Sequence, residues 1–302
     1  MALGRAARIG VVILVACGVV IAGSVLVSQL LVKQPLVDGC TANVAGGTTR
    51  LTVEEAENAA LISALSVQRG LPARAATIAL ATAYQESGLH NISYGHLDSV
   101  GLFQQRPSQG WGTEQQILDP YYATASFYTA LAKIHGYSAM DIAAAAQLVQ
   151  RSADGGAYSQ HEASARALAS SLTGQSEAAF SCELRETSTT GDPTALRREL
   201  ARAFGTARFT SAGFGGSSGV QPAIASSRSA GGKVVVDIPV RPADRTFGWS
   251  VAQWSVAYAQ RFGIESISYG GHSWSAGHSV DGWRADDAAS ARRIRMVLTS
   301  SG

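Results

Sequence analysis

The residue with the clearest potential for chemistry is Glu86, which stands in the sequence Ala-Thr-Ala-Tyr-Gln-Glu-Ser-Gly. Its apolar surroundings predict the last turn of a helix that stops near Gly88. At that position the helix dipole and the apolar neighbours both disfavour a negative charge. A carboxyl group that stays protonated near neutral pH is what general acid catalysis requires. Taken alone, however, a glutamate at a helix end is more often a solvated surface residue.

A second motif, fifteen residues after Glu86, strengthens the catalytic interpretation. It reads Gly101-Leu102-Phe103-Gln104, and a proline follows at position 107. Glu-Ser, a spacer of thirteen residues and then Gly-Leu-(Met/Phe)-Gln resembles the soluble lytic transglycosylase group of the lysozyme-like superfamily. The resemblance covers about residues 51–180. The wider block to Gly112 is similar to lysozyme-like domains in secreted or membrane-anchored bacterial wall proteins.

The resemblance implies a role for each matching residue. Glu86 would protonate the glycosidic oxygen of a MurNAc–GlcNAc bond, and Ser87 would steady that region by hydrogen bonding. Gly101 would let the backbone approach the sugar, while Gln104 and Gln105 would contribute to substrate binding. In such enzymes the substrate's own N-acetyl group is thought to stabilise the sugar cation, so one catalytic carboxylate suffices.

Two departures from the family pattern bear on the outcome of the reaction. The family has a later Ala-Tyr-Asn motif whose tyrosine contacts the catalytic glutamate, but residues 146–152 read Ala-Gln-Leu-Val-Gln-Arg-Ser. The tyrosine contact is therefore expected to be missing, with Gln150 as the replacement. The second departure is Asp98, in the irregular stretch 89–112. It would be either a second carboxylate for direct hydrolysis or a turn-forming residue.

Several aromatic and basic residues near the second motif are further candidates for substrate contact. Trp111 is flanked by glycines and is expected to be exposed, where it would stack on a sugar ring. Tyr121 and Tyr122 would either stack on sugars or pack in the core. Arg106 would either meet a carboxylate of a peptide stem or remain a surface residue.

The elements that must position these residues are helices over residues 51–183. Thr52 and Glu55 predict a capping box at the first helix start, and an Ala-rich helix ends near Gly174. The stretch 89–112 is irregular and rich in turn-forming residues. An irregular segment of that length inside a helical domain is usually functional.

The N-terminal part of the chain predicts a membrane anchor. Residues 9–32 carry no charge and are long enough to cross a bilayer as a helix. Basic residues before this run predict a cytoplasmic tail over 1–8, and a stem over 33–50 would follow outside the membrane. The predicted location is a single pass through a bacterial cytoplasmic membrane, with the N-terminus inside. A lipoprotein signal ending at Cys17 and cleavage elsewhere are the alternatives.

Cys40 and Cys182 are the two cysteines outside the predicted anchor. An even pair in an oxidising compartment usually forms a disulfide, although two free buried thiols would also fit the sequence. The pair brackets the helical segment and marks it as a domain.

The C-terminal part predicts a linker over 184–232, with one short helix after Asp192, and a small α/β (α+β) domain over 233–302. This last segment resembles zinc D-Ala-D-Ala carboxypeptidases, but of their ligand motifs only Asp237 remains. His272 and His278 fit a surface loop better than a rebuilt zinc site. We therefore expect no metal, no peptidase activity and a degenerate module that binds wall polymer or an envelope protein partner.

Composition limits the remaining function classes. The chain has 302 residues, enough for about two domains, and its formal net charge of +2 argues against a nucleic-acid partner. The predicted fold class is a mainly α lysozyme-like domain, a small α/β domain and a transmembrane helix. The predicted function is a peptidoglycan glycosidase without a cofactor, acting on glycan strands as a lytic transglycosylase or a muramidase. The alternative is a non-catalytic wall-binding or envelope-assembly protein with a retired lysozyme fold.

Overall fold

A three-stranded antiparallel sheet joins the beginning and the end of the helical part of the chain. The structure, a computed structural model, describes residues 38–151, 156–184, 189–206, 225–228 and 233–299. The sheet has the order β2-β1-β3. Its strands are β1 (Gly39–Val44), β2 (Gly47–Leu51) and β3 (Phe180–Glu183). Cys40 and Cys182 lie opposite each other on β1 and β3 and are joined by a disulfide, which confirms the predicted pairing.

Two helices follow β2, and the start of the first and the end of the second are as predicted from the sequence. The helix α1 (Val53–Gln68) begins with the Thr52–Glu55 capping box. The helix α2 (Ala73–Ser87) follows Pro72 and stops at Gly88, which is left-handed with φ 63°. Residues 75–83 of α2 are all buried, so α2 is the central helix of this part. Its apolar small residues allow neighbouring helices to approach closely.

The remaining helices pack around α1 and α2 or belong to the C-terminal part. Two of them begin after an aspartate whose carboxylate accepts free N–H groups of the first turn. These helices are α3 (Glu114–Ile117), α4 (Pro120–Leu131), α5 (Ile142–Gln150), α6 (Glu162–Leu172), α7 (Pro193–Phe204), α8 (Arg245–Ala257) and α9 (Ala259–Phe262).

The C-terminal part contains a six-stranded sheet in the order β4-β5-β9-β6-β7-β8, with every neighbouring pair antiparallel. The left-handed Gly270 and Gly271 form the turn between β6 and β7. The strands are β4 (Ala225–Arg228), β5 (Val234–Pro239), β6 (Ile264–Tyr269), β7 (His272–Ser275), β8 (Arg284–Ala285) and β9 (Arg293–Leu298).

Gln253 of α8 connects the C-terminal part to the chain segment around β3. Its Oε1 accepts hydrogen bonds from the backbone N–H groups of Ala179 (2.8 Å) and Phe180 (2.7 Å). Its Nε2 donates to the carbonyl oxygens of Ser171 (2.6 Å) and Ser176 (3.0 Å). All polar atoms of this buried side chain are therefore used, and the described residues from 38 onwards belong to one compact unit.

The predicted fold class is wrong. The chain is of the α+β class, with roughly 50% helix and 18% strand in two antiparallel sheets. β1 and β2 lie almost entirely in residues 39–50, which were expected as part of the stem 33–50. The C-terminal sheet is antiparallel throughout. The cause is long-range pairing: β1 binds β3 across the whole helical segment, which local sequence patterns do not reveal.

The transmembrane part of that prediction has no counterpart among the helices that the structure describes. None of these helices combines the length and the apolar character needed to cross a bilayer. The predicted span over 9–32 itself lies outside the described residues.

Candidate active site

The carboxylate of Glu86 is bound by a tyrosine from a distant segment. Glu86 lies in the last turn of α2 and is half-buried. The hydroxyl of Tyr158 donates to Glu86 Oε1 at 2.7 Å. Tyr158 belongs to a 3-10 helix (Gly156–His161), and only 2% of its surface is exposed. A buried donor of this kind fixes the orientation of the carboxylate.

The same 3-10 helix also holds the two residues that precede Glu86. The rings of Tyr84 and His161 stack with centroids 5.4 Å apart and an angle of 5° between their planes. The side-chain oxygen of Gln85 accepts from Gln160 Nε2 (3.0 Å) and lies 3.1 Å from His161 Nε2. Burial lowers the pKa of His161, which favours its neutral form in this stack. Three successive residues at the end of α2 are thus held by one short element.

Ser87 ties the end of α2 to the Gly-Leu-Phe-Gln loop. Its hydroxyl lies 2.8 Å from the carbonyl oxygen of Leu102 and 3.1 Å from that of Ala83. The backbone N–H of Gly101 donates to the carbonyl of Ile92 at 2.7 Å, which closes the loop from its other side. Ser87 therefore fastens the loop to the end of α2 through Leu102.

Gly101 is required by the packing of this loop. Its φ is 79°, in the left-handed region that side chains with a Cβ rarely adopt. A Cβ added there would lie 2.8 Å from the carbonyl oxygen of Ile117, the last residue of α3. The backbone approach at Gly101 is therefore to α3, whereas the sequence motif alone implied an approach to a sugar.

Gln104 and Gln105 both brace the loop. Gln104 has a φ of 47°, and its Nε2 lies 3.2 Å from the carbonyl oxygen of Tyr94 and 3.3 Å from that of Gly101. Gln105 is buried and donates to the carbonyl of Ala123 at 3.2 Å. Its Oε1 is buried without a hydrogen-bond partner among the described residues. Gln104 remains partly accessible, and Gln105 holds the loop against α4.

Asp98 is engaged in a small network of its own. It accepts from Arg106 Nε (2.6 Å), from the backbone N–H of Ser108 (2.8 Å) and from the Ser108 hydroxyl (3.0 Å). These donors, with Arg106 foremost, hold the pKa of the Asp98 carboxyl well below its usual range. Asp98 thus accepts the backbone N–H of Ser108 in the 3-10 helix (Pro107–Gln109) and pairs with Arg106, the cation that the sequence offered for a peptide carboxylate.

Gln150 does not replace the family's tyrosine, and that tyrosine contact is present. Gln150 Nε2 donates to the carbonyl of Phe103 at 2.6 Å, so it braces the loop rather than Glu86. The expectation of a missing tyrosine was wrong because Tyr158 supplies the contact from further along the chain. One sequence feature could have indicated Tyr158: Ala157-Tyr158-Ser159 matches the first two residues of the family's Ala-Tyr-Asn motif.

The three aromatic candidates fall in different environments. Tyr121 is a core residue, and its hydroxyl donates a hydrogen bond to Glu199 Oε1 at 2.8 Å. Trp111 was expected to be exposed, but it is half-buried because it packs against the core. Tyr122 is also half-buried, and both residues line a cavity of about 550 Å³ between α4 and the end of α5. The cavity also contains cationic side chains that the sequence analysis did not select: Arg69, Lys133 and Arg151.

The candidate residues that the structure describes in the C-terminal part contact other side chains and do not form a metal-binding group. Asp237 pairs with Arg295 at 3.0 Å and lies 3.6 Å from Arg293. His272 packs edge-on against Trp249, with ring centroids 5.6 Å apart. Across the described part of the chain, no group of three or more His, Cys, Asp or Glu residues is close enough to hold a metal ion.

No model of a known protein family matches the sequence, and no curated protein matches it at a significant level. The interpretation of the site therefore depends on the residues themselves. Glu86, Ser87 and the loop 101–104 are brought together, and Tyr158 completes the arrangement. Such a site presents one oriented, half-buried carboxyl group beside a hydrogen-bonded loop, which is suited to proton transfer.

Proposed function

We propose that this protein is a peptidoglycan glycosidase that cleaves the β-1,4 bond between MurNAc and GlcNAc, with Glu86 as the general acid and base. The observation that carries this proposal is the hydrogen bond from Tyr158 to Glu86, beside a loop that Ser87 fastens to the same helix end. A surface glutamate without a chemical role has no need of a buried tyrosine to orient it. The family resemblance of the two motifs supports the same substrate.

The proposed reaction uses one carboxyl group. Glu86 gives its proton to the glycosidic oxygen, and that oxygen keeps the electron pair of the broken bond. The carbonyl oxygen of the neighbouring N-acetyl group stabilises the sugar cation. The Glu86 carboxylate then takes a proton from the hydroxyl that attacks the sugar, either that of water or the sugar's own 6-hydroxyl.

The environment of Asp98 supports this single-carboxylate scheme. In direct hydrolysis by two carboxylates, the second must activate water or attack the sugar. Asp98 is instead ionised and occupied by three hydrogen-bond donors from Arg106 and Ser108. Its proposed role is to shape the loop rather than to react.

The disulfide supports an extracytoplasmic site of action. Disulfides such as Cys40–Cys182 persist in oxidising compartments and are rare in the cytosol. Peptidoglycan lies outside the cytoplasmic membrane, so the proposed substrate and the bond are compatible with one location.

The decisive experiment measures release of soluble muropeptides from purified cell walls by the full chain and by its Glu86→Gln variant. The proposal requires release by the wild type and a loss of at least a hundredfold in the variant, because the amide cannot donate the proton. Glu114→Gln, at an exposed glutamate in α3, is the matched control and should keep full activity.

The outcomes of this experiment separate the functional alternatives. Equal release by wild type and Glu86→Gln, or no release by either with retained wall binding, contradicts the glycosidase and favours a wall-binding protein. Mass analysis of the products assigns the chemistry: anhydro-MurNAc ends identify a lytic transglycosylase, and reducing ends identify a hydrolase.

A further inference from the structure

The cavity of about 550 Å³ between α4 and the end of α5 carries an unbalanced positive charge. Arg69, Lys133 and Arg151 line it, and no aspartate or glutamate is among its described lining residues. None of the three cations has a carboxylate within 4 Å in the described part of the chain, and Arg69 donates only to the neutral hydroxyl of Thr129. The volume is in the range of small-ligand sites.

The rest of the cavity wall is aromatic and aliphatic. Trp111 and Tyr122 lie on one side, and Leu148 lies on the end of α5. Leu148 is 52% exposed and gives the cavity wall an accessible apolar surface. A ligand that suits this wall combines negative charge with small apolar groups.

The cavity adjoins the proposed catalytic site through the last turn of α5. Leu148, Val149 and Arg151 line the cavity, while Gln150 between them donates to the carbonyl of Phe103. The residue before Phe103 in turn receives the hydrogen bond of Ser87, next to Glu86. The cavity wall and the proposed catalytic site are therefore joined through one loop.

We infer that the cavity binds the acidic peptide stem carried by the glycan, an inference that rests on the proposed function. A stem peptide combines carboxylates with alanine methyl groups. Arg69, Lys133 and Arg151 would pair with the carboxylates, and arginine does so with two parallel hydrogen bonds where geometry allows. Leu148 and the aromatic rings would contact the methyl groups. The enzyme would then select glycan segments that carry peptide stems over bare glycan.

The test measures binding of the free-acid dipeptide L-Ala-γ-D-Glu to the full chain by isothermal titration calorimetry. Its diamide and inorganic phosphate are the comparison ligands. We expect the free acid to bind at least tenfold more tightly than either comparison ligand. Combined Lys133→Met and Arg151→Met substitutions should weaken binding at least tenfold. Arg50→Met, at an exposed arginine of β2 outside the cavity, should leave it unchanged.

Each alternative outcome overturns the inference. Absence of binding, equal binding of the diamide, or unchanged binding in the double variant with a native unfolding curve excludes a peptide-carboxylate site. Phosphate bound as tightly as the peptide assigns the cavity to a phosphate-bearing polymer instead. Muropeptide release is measured separately: release without peptide binding leaves the glycosidase standing, and peptide binding without release leaves only the cavity proposal standing.

Discussion

Tyr158 donates a hydrogen bond to Glu86 across 72 residues of sequence, at 2.7 Å, from a buried position. The tyrosine stands in a short 3-10 helix that also stacks His161 on Tyr84. Since these contacts are concentrated on the last turn of α2, that turn is held more firmly than an ordinary helix end. The orientation of the Glu86 carboxyl group is therefore built into the fold.

Replacing Tyr158 by phenylalanine should lower the rate of muropeptide release about tenfold while the protein still folds. The variant keeps the buried ring and removes only the donor to Glu86. Glu86 gains negative charge as it gives up its proton in the transition state, and a hydrogen bond to a charged group is worth about 1.5–3 kcal/mol. Tyr137→Phe is the matched control, because no hydrogen bond of its hydroxyl to a described residue is found. Full activity of Tyr158→Phe would show that Glu86 needs no orientation by this residue.

Replacing Gly101 by alanine should destabilise the protein more than the same change at Gly110. Both glycines have nearly the same left-handed φ, 79° and 80°, so both variants carry a backbone cost of about 1–2 kcal/mol. Only at Gly101 would the new Cβ meet an atom, the Ile117 carbonyl oxygen at 2.8 Å, whereas Gly110 faces open space. Urea unfolding should separate the two variants by at least about 1 kcal/mol.

The activity of these two glycine variants gives a second measurement. Gly101→Ala should also reduce muropeptide release, because the loop that Ser87 holds must shift away from α3. Gly110→Ala leaves the contact between the loop and α3 unchanged, so it should reduce release less than Gly101→Ala does, although Gly110 lines the cavity proposed for the peptide stem. Equal unfolding free energies for the two variants would mean that the contact between the loop and α3 yields at no cost.

Local features of this protein could be predicted from sequence because they depend on neighbouring residues. The Thr52–Glu55 capping box and the stop of α2 at Gly88 form from groups within one turn of each other. Glu86 and Ser87 were likewise placed at a helix end by local patterns. The resemblance of Glu86-Ser87 and Gly101–Gln104 to the transglycosylase motifs then implied that the helix end and the loop belong to one site.

Features that depend on distant pairing could not be predicted in the same way. The strand β3 has only four residues, Phe180–Glu183, and its partner β1 begins at Gly39. Neither segment is long enough for a periodic pattern to stand out. The contact of Tyr158 with Glu86 was not predicted for a related reason. Tyr158 lies in a 3-10 helix that follows residues 146–152, where the family's tyrosine was expected.

Glu57 should make the stability of the protein depend on pH. Its side chain is 13% exposed and lies 2.7 Å from Arg261. Burial, the largest influence, raises its pKa to about 7, although Arg261 opposes this. Since the folded pKa lies above the unfolded value of 4.5, the stabilising contribution is complete below about pH 4.5 and is lost as the pH rises through 7.

Glu57→Gln tests this pH dependence because the amide cannot ionise. Between pH 4.5 and pH 8 the wild type should lose about 2 kcal/mol of unfolding free energy that the variant does not lose. Urea unfolding at both pH values measures the difference, and Glu114→Gln, at an exposed glutamate, should show none. Parallel pH profiles for wild type and Glu57→Gln would exclude Glu57 as the titrating group.

Gln253→Leu should destabilise the whole described unit from 38 onwards, because the Gln253 amide satisfies four backbone groups at once. The N–H groups of Ala179 and Phe180 and the carbonyl of Ser176 would lose this partner in a buried or half-buried position. The carbonyl of Ser171 would keep the N–H of Gly174. Each unsatisfied buried group costs about 1–3 kcal/mol, so we expect a loss of at least about 3 kcal/mol. Gln115→Leu, at an exposed residue of α3, is the control for the apolar substitution itself.

Because Gln253 bonds both the end of α6 and the start of β3, thermal unfolding of the variant should remain one transition at a lower temperature. Two separated transitions, with the helical part unchanged, would show instead that the C-terminal sheet unfolds on its own and gives the active-site helices no support.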